Sequence, residues 1–323
     1  MAISLYEFKK QIKEYLLEIH WKQWSALGVA SHVQPEQYWH IDVEALIIST
    51  LTIGLHDKRL FSACIEWLIQ NSEWVNFSRL KRIAKLFSRP LPVPGGYLFN
   101  QGILSLLFDT LKKFKRFVIK YPDFIVTDNM PSEEYKKVFE GFKIRGIANQ
   151  LQIFEPIPHL QLLLRGYFGV DARVEVLMHL LVDRAGNSNA IAKDVFHNQR
   201  NIYTILEKWL KVQIVKKVNA EYSLNKKKEW LRVLGLKKNI PSVNWSKTFL
   251  LSDQLLKSFS ITELPCDKYT LSSIFRDFYK DAAVIGDNLN LQIPEPSVYK
   301  GEQYFEPFAV TVLTILKSLM RRS

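Results

Sequence analysis

Apolar residues recur at intervals of three and four along almost the whole chain, and this spacing limits the possible fold more than any other feature. The first such stripe consists of Leu5, Phe8, Ile12, Leu16 and Ile19. Residues three or four apart share one face of an α-helix, so each stripe predicts a helix with a buried side. A chain of 323 residues also exceeds the usual size of one hydrophobic core. We therefore expect a mainly α, multidomain protein.

Breaks in the helical spacing predict the domain boundaries. A run rich in proline and glycine, residues 89–96, follows the first four predicted helices, and Pro156 and Pro158 mark a second boundary. A strand is expected at residues 124–127. The predicted units are a helical N-terminal domain at 1–89, a linker and helical middle segment at 90–158, a third domain at 159–239 and a helical C-terminal region at 240–323.

The third domain follows an element order of its own. The spacing predicts helices over 172–181, 189–195 and 199–210, then strands over 213–218 and 222–224 joined by a turn at 219–221. Ser188 is expected to cap the second helix. Ala192 is small where two helices would cross, and Ile202 and Ile205 follow it by ten and thirteen residues, where apolar side chains would seal the third helix. Three helices followed by a hairpin predict a winged helix-turn-helix.

The third predicted helix then has a polar face directed away from the core. Arginine, asparagine and glutamine make paired hydrogen bonds to base edges in the DNA major groove, and a helix fits that groove. Lysines on this helix and on the hairpin would bind phosphates, and His197 is interpreted as a packing or phosphate contact. The predicted DNA-binding residues are Ser188, Gln199, Arg200, Asn201, Tyr203, Thr204, Lys208, Lys216 and Lys217.

The charge of the chain favours a polyanionic partner. The formal net charge is +12, and residues 193–238 hold twelve of the Lys and Arg residues against four Asp and Glu. Lysines that neutralise phosphates release counterions, which gives affinity for any DNA sequence. Upstream, Arg79, Arg82 and Lys85 share one helical face. That face is either a further phosphate-binding surface or an ordinary solvated one.

Over about residues 160–238 the sequence resembles bacterial winged helix-turn-helix transcriptional regulators. The resemblance implies binding of double-stranded DNA through the third helix and the wing, in the regulation of transcription. Two positions depart from that family: Phe196 stands where the turn usually has glycine, and Val212 and Gln213 replace a glycine before the first strand. The matching runs are Phe168-Gly169-Val170-Asp171-Ala172-Arg173, Ile191-Ala192, Gln199-Arg200-Asn201-Ile202-Tyr203 and Tyr222-Ser223-Leu224.

Two further interpretations concern protein partners. Winged helices also serve as interaction or assembly modules that bind no DNA, and this alternative stays open. A homodimer is also expected, because a two-fold protein matches a two-fold DNA site. The C-terminal helix is a candidate for the dimer seam, although core packing within one chain explains its apolar residues equally well. These residues are Val310, Leu313, Ile315 and Leu316.

The sequence favours a protein without enzymatic activity, cofactor or metal. It holds no glycine-rich phosphate loop and no zinc-binding spacing. One alternative is a nuclease: Asp123, Glu134 and Lys136 resemble the motif of a family of metal-dependent nucleases. Glu134, however, falls at the start of a predicted helix, where an acidic residue is ordinary.

The same sequence features predict where the protein resides. The N-terminus has no export signal, and no apolar stretch is long enough to span a membrane. Cys64 and Cys266 are too few for a disulfide framework and are expected to be buried in a reducing compartment. We expect a cytoplasmic protein.

Overall fold

The computed structural model describes residues 3–88, 102–114, 132–182, 184–236, 240–241, 243–259 and 267–321. These residues contain fourteen α-helices and a single two-stranded antiparallel sheet. The prediction of a mainly α fold is confirmed. The strand expected at residues 124–127 and the run rich in proline and glycine lie outside the described residues.

The helices predicted over 172–181, 189–195 and 199–210 are present, each within one residue of those bounds. The fourteen α-helices of the described residues are labelled here in chain order. Their bounds are α1 (Leu5–Ala26), α2 (Val43–Ile53), α3 (Lys58–Asn71), α4 (Phe77–Phe87), α5 (Gly102–Phe114), α6 (Glu133–Glu140), α7 (Leu160–Phe168), α8 (Ala172–Leu181), α9 (Ser188–Val195), α10 (Gln199–Lys211), α11 (Lys227–Val233), α12 (Trp245–Ser258), α13 (Lys268–Leu289) and α14 (Phe305–Arg321). The strands are β1 (Val215–Val218) and β2 (Glu221–Leu224).

One large hydrophobic core unites helices from both ends of the chain, α1–α6 with α12–α14, and we call this unit the helical body. Phe8 of α1 packs edge-on against Phe275 of α13 and Phe305 of α14, with ring centroids 5.8 and 5.7 Å apart. Tyr135 of α6 also reaches across the core and donates a hydrogen bond to the carbonyl of Leu51. The N-terminal and C-terminal helices therefore pack as neighbours, a contact that helical spacing does not reveal.

Local side chains explain where the helices of the body begin. The Asp42 carboxylate accepts a hydrogen bond from the backbone N–H of Ala45, and α2 starts at the next residue. Gly54 follows the last residue of α2. Asp and Gly are residue types expected just before the start and just after the end of a helix. On α1, the hydroxyl of Ser4 accepts from the N–H of Glu7 in the same way.

A second, smaller core holds α7–α11 and the sheet, and we call this the central unit. Its centre is formed by side chains from the predicted inward faces. Ala192 on α9 and Ile202 on α10 are both buried, as the ten-residue spacing requires. The domain boundaries remain predictions. The buried residues come from every element of the unit except α11; they include Leu164, Val174, Leu177, Leu181, Ile191, Ala192, Ile202, Leu206, Val215, Tyr222 and Leu224.

The hairpin is shorter in its first strand than the sequence predicts. Val215 pairs with Leu224, and Val218 pairs with Glu221. Asn219 and Ala220 between the strands both have positive φ, at 49° and 66°, as tight hairpin turns require. An isolated antiparallel bridge between Gly186 and Tyr222 ties the hairpin to the segment between α8 and α9.

The C-terminal helix α14 packs inward rather than presenting an apolar seam. Leu313, Ile315 and Leu316 are buried in the core of the helical body, so they are unavailable for the proposed dimer contact, which corrects that interpretation. Val310 alone of the four predicted seam residues is exposed, at 50 %. In the part of the chain that the structure describes, we find no helix with the length and apolar character needed to cross a membrane.

Candidate nucleic-acid interface

Helix α10 turns one face toward the smaller core and the opposite face to solvent. Ile202 and Leu206 are buried, and Ile205 and Trp209 are partly buried beside them. Tyr203 is 47 % exposed. The structure places all six predicted contact residues of this helix on the exposed side: Gln199, Arg200, Asn201, Tyr203, Thr204 and Lys208.

The first turns of α9 and α10 lie side by side. The amide Nε2 of Gln199 donates a 3.1 Å hydrogen bond to Oγ of Ser188. Asn187, and not Ser188, caps α9 by accepting from two backbone N–H groups, which corrects the predicted cap by one residue. Asn198 caps α10 by accepting from the N–H of Arg200. Two helix N-termini, each capped by an asparagine, therefore meet at one exposed surface.

The two predicted wing lysines lie on opposite faces of β1, because successive side chains of a strand alternate. Lys217 faces α10, where its ammonium lies 3.2 Å from the Glu207 carboxylate and 4.7 Å from the Tyr222 ring centroid. Lys216 is exposed on the other face. A single phosphate cannot contact both lysines in this arrangement.

Glu207 is the centre of this small polar cluster between α10 and the hairpin. The Tyr222 hydroxyl donates a 2.5 Å hydrogen bond to the same carboxylate that pairs with Lys217. The hydrogen bond from Tyr222 and then that from Lys217 hold the pKa of Glu207 below its ordinary value. The cluster fixes the hairpin against α10. Sequence reasoning missed it, because Lys217 and Tyr222 follow Glu207 by ten and fifteen positions.

A cleft of about 430 Å³ runs between the start of α8 and the exposed side of α10. Asn201, Thr204 and Lys208 line it from α10. Asp171 and Arg173 line it from α8 and form an exposed ion pair with each other. The hydrogen bonds that Arg173 donates to the Asp171 carboxylate raise the pKa of Arg173. The cleft adds Arg173 to the cationic groups beside α10.

Both positions that depart from the resembled family adopt the left-handed conformation that glycine favours. Phe196 has φ 58°, and Gln213 has φ 59°. This conformation costs a non-glycine residue roughly 1–2 kcal/mol. The Phe196 ring packs against the core of the helical body, with the Arg79 guanidinium 5.8 Å from its centroid. The Phe196 side chain therefore also contributes to packing between the turn and the helical body.

Arg79 lies inside the molecule, which corrects its place in the predicted basic face. Its side chain is 5 % exposed and forms ion pairs of 2.6 Å with Asp42 and 2.7 Å with Glu44. Its Nε donates to the carbonyl of Val195 at the end of α9. Burial opposes the charge of Asp42, but Arg79 outweighs it and keeps the pKa of that carboxyl below its ordinary value.

A second buried arginine extends this network into the central unit. Arg165 of α7 bonds both Glu44 of the body, at 2.8 Å, and Glu175 of α8, at 2.6 Å. His197, predicted as a packing or phosphate contact, faces Glu175 at 3.5 Å. Burial opposes ionisation, yet Arg165 and the His197 imidazole together lower the pKa of Glu175 to about 2. Charges from both units therefore fix the turn that precedes α10.

Two residues of the nuclease-like pattern, Glu134 and Lys136, lie on α6. Glu134 lies in the first turn of α6, and the ammonium of Lys136 pairs with Glu133 at 2.6 Å. Asp123 lies outside the described residues. Among the residues that are described, no group of three or more His, Cys, Asp and Glu side chains is arranged to hold a metal ion. Cys64 is buried, and Cys266 is not described.

In comparisons with known proteins, no family model, no curated protein and no solved structure matches this chain.

Proposed function

We propose that the protein binds double-stranded DNA through a winged helix-turn-helix formed by α8, α9, α10 and the hairpin, and that it regulates transcription. The observation that carries the proposal is the exposed polar edge at the start of α10. The bridge between Gly186 and Tyr222, which ties the hairpin to the helices as a wing, gives further support.

In this proposal α10 enters the major groove with its N-terminal end leading. Arg200 would bind guanine through paired hydrogen bonds, and Gln199 and Asn201 would bind adenine in the same manner. Each such pair discriminates against a wrong base by about 1–3 kcal/mol. Tyr203 and Thr204 follow on the same exposed side and would contact bases or the adjacent backbone.

Phosphate contacts would come from several elements. Lys208 of α10 and Lys216 of the hairpin are exposed. Lys217 can bind a phosphate only if its ion pair with Glu207 breaks. We therefore expect Lys217 to contribute less to DNA affinity than Lys216. Ser188 lies at the N-terminus of α9, where backbone N–H groups and a hydroxyl suit a phosphate oxygen. No enzymatic step is required for this function.

The experiment that tests the proposal is selection of duplexes from a random pool, followed by affinity measurements on the preferred sequence. Arg200→Ala should weaken binding of the preferred duplex by about 5- to 150-fold while leaving non-specific affinity nearly unchanged, because a base contact is lost. Lys216→Ala should weaken binding to all duplexes alike. Lys280→Ala, an exposed lysine on α13, is the control and should change neither.

The interaction-module alternative has its own supporting observation. Apolar side chains are exposed near the same surface, with Val212 at 65 % and Val218 at 62 %. A protein that binds no duplex at low salt but captures a protein partner through this face would replace the DNA proposal. A homodimer remains part of the regulator proposal, with its seam elsewhere than the inner face of α14, and sedimentation of the purified protein tests it.

A further inference from the structure

A row of basic side chains on α4 leads from the interior of the molecule to the surface beside α10. The row consists of Arg79, Arg82 and Lys85, each three residues from the next. Arg79 is buried and holds the carbonyl of Val195. Arg82 is exposed, and its guanidinium donates a 3.3 Å hydrogen bond to the carbonyl of Phe196. Lys85 is exposed one helical turn further on.

The hydrogen bond from Arg82 to Phe196 limits the distance between this row and α10, the helix proposed to enter the major groove. Phe196 precedes Gln199, the first residue of α10, by three positions. Three residues span at most about 11 Å, so the Arg82 guanidinium lies close to the leading end of α10. Lys85 lies about 4.5 Å further along the α4 axis, at 1.5 Å per residue.

The charge of this face is available to a partner. Helix α4 contains no Asp or Glu. Among the described residues, no carboxylate oxygen lies within ion-pair distance of Arg82 or Lys85, whereas Arg79 has two. A guanidinium carries five N–H donors, so the bond to Phe196 leaves others free for an anion.

We propose that Arg82 and Lys85 bind a phosphate strand of the duplex that α10 reads, so that the helical body holds DNA together with the winged helix. This inference rests on the proposed function. It assigns a DNA contact to a helix outside the central unit, and it extends the bound stretch of duplex to one side of the site entered by α10.

The position of the row supports DNA rather than a solvated face. The leading end of a helix in the major groove lies between the two sugar-phosphate strands that border the groove. A guanidinium held beside the preceding turn is within reach of one of those strands. Arg79 and Phe196 keep α4 in place, so little conformational entropy is lost when Arg82 meets a phosphate.

The test compares the double variant Arg82→Ala/Lys85→Ala with the wild-type protein on two duplexes. One duplex is trimmed to the site selected with wild-type protein, and the other carries flanking sequence on both sides. Affinity is measured across a range of KCl concentrations. The double variant Lys257→Ala/Lys280→Ala, on exposed positions of α12 and α13, is the matched control.

On the flanked duplex, loss of two phosphate contacts should reduce the slope of log affinity against log salt by about 1.8 and weaken binding about tenfold or more at 0.1 M salt. On the trimmed duplex, which lacks the flanking phosphates, the double variant should lose less affinity than on the flanked duplex. The preferred sequence should not change, because phosphates carry no sequence information. Lys85 has no hydrogen-bond or ion-pair partner among the described residues. Lys85→Glu should therefore weaken binding to the flanked duplex even if Arg82→Ala disturbs the turn at Phe196.

The possible failures are distinguishable. If the double variant and Lys85→Glu both keep the wild-type slope on the flanked duplex, while Arg200→Ala still loses base preference, the α4 surface is only solvated and the proposed function stands. If wild-type protein binds neither duplex, the proposed function and this inference both fail.

Discussion

At the scale of single residues, an ionisable group that is buried away from water can make stability depend on pH. Asp253 of α12 is buried in the helical body, where Ser49 and Thr52 are its hydrogen-bond partners. The Thr52 hydroxyl lies 2.7 Å from both Asp253 and the carbonyl of Ser49. The hydroxyls of Ser49 and Thr52 donate to Oδ2 of Asp253, and they lower the pKa of its carboxyl less than burial raises it.

We therefore expect Asp253 to make stability depend on pH. Burial raises the pKa of Asp253 from 3.8 to about 8, so the folded protein keeps a proton that the unfolded chain releases. Between about pH 4 and pH 8 this group lowers the free energy of unfolding by up to about 1.4 kcal/mol per pH unit, and above pH 8 its effect is constant. Asp253→Asn, which keeps a donor, should remove that dependence.

The measurement is urea unfolding of wild type and variant at pH 5 and pH 8. The stability of Asp253→Asn relative to wild type should rise between these two values. Asp281→Asn, at an exposed position of α13, is the control. An equal difference at both pH values would show that Asp253 is ionised in the folded protein.

At the scale of elements, Phe196 and Gln213 lie near the two ends of α10 and both have positive φ. Replacing them with glycine should change the stability of the protein in opposite directions. Gln213 is exposed, so Gln213→Gly should relieve backbone strain and stabilise the protein by roughly 0.5–1 kcal/mol. Phe196→Gly should relieve the same strain but lose the ring that packs against the helical body. We expect it to destabilise the protein by about 1–2 kcal/mol.

Thermal unfolding at one pH, followed by circular dichroism, compares the two variants. Val212→Ala changes a neighbouring exposed residue that needs no positive φ and serves as the control. If Phe196→Gly stabilised the protein as much as Gln213→Gly, the packing of the Phe196 ring would have no role.

Most elements of the fold follow from local sequence, and so do their ends. Asp42 and Gly54 predict both ends of α2, and the ten-residue spacing from Ala192 to Ile202 predicts how α9 and α10 cross. The true cap Asn187 precedes Ser188, and both residue types cap helices well, so sequence alone could not choose between them. The start of β1 was misplaced because Gln213 turns the chain where a regular strand was expected.

At the scale of the whole molecule, a buried ionic network connects the helical body with the central unit. Arg79 and Arg165 both bind Glu44, and Arg165 also binds Glu175. Removing one partner of such a network leaves a buried charge uncompensated, which typically costs about 3–5 kcal/mol. Together with the hydrogen bond from Arg79 to the carbonyl of Val195, this network connects the turn before α10 to the helical body.

The sequence did not predict this buried ionic network. Spacing alone placed Arg79 beside Arg82 on a solvent-facing side of α4. Asp42 and Glu44, which cover Arg79, lie 37 and 35 positions earlier in the chain. Contacts between such distant positions leave no periodic signal. The exposed side of α10 could be predicted because its buried and exposed residues alternate within a single helix.

The central claim, that the leading edge of α10 meets DNA, is tested most directly by hydrogen exchange with and without a duplex. The first N–H groups of a helix have no partner within the helix, so those at residues 199 and 201 should exchange rapidly in the free protein. At a duplex concentration that saturates the protein at low salt, exchange in residues 198–204 should slow, and exchange in α13 should be unchanged. Unaltered exchange at 198–204, with duplex bound through another surface or not bound at all, would contradict the account.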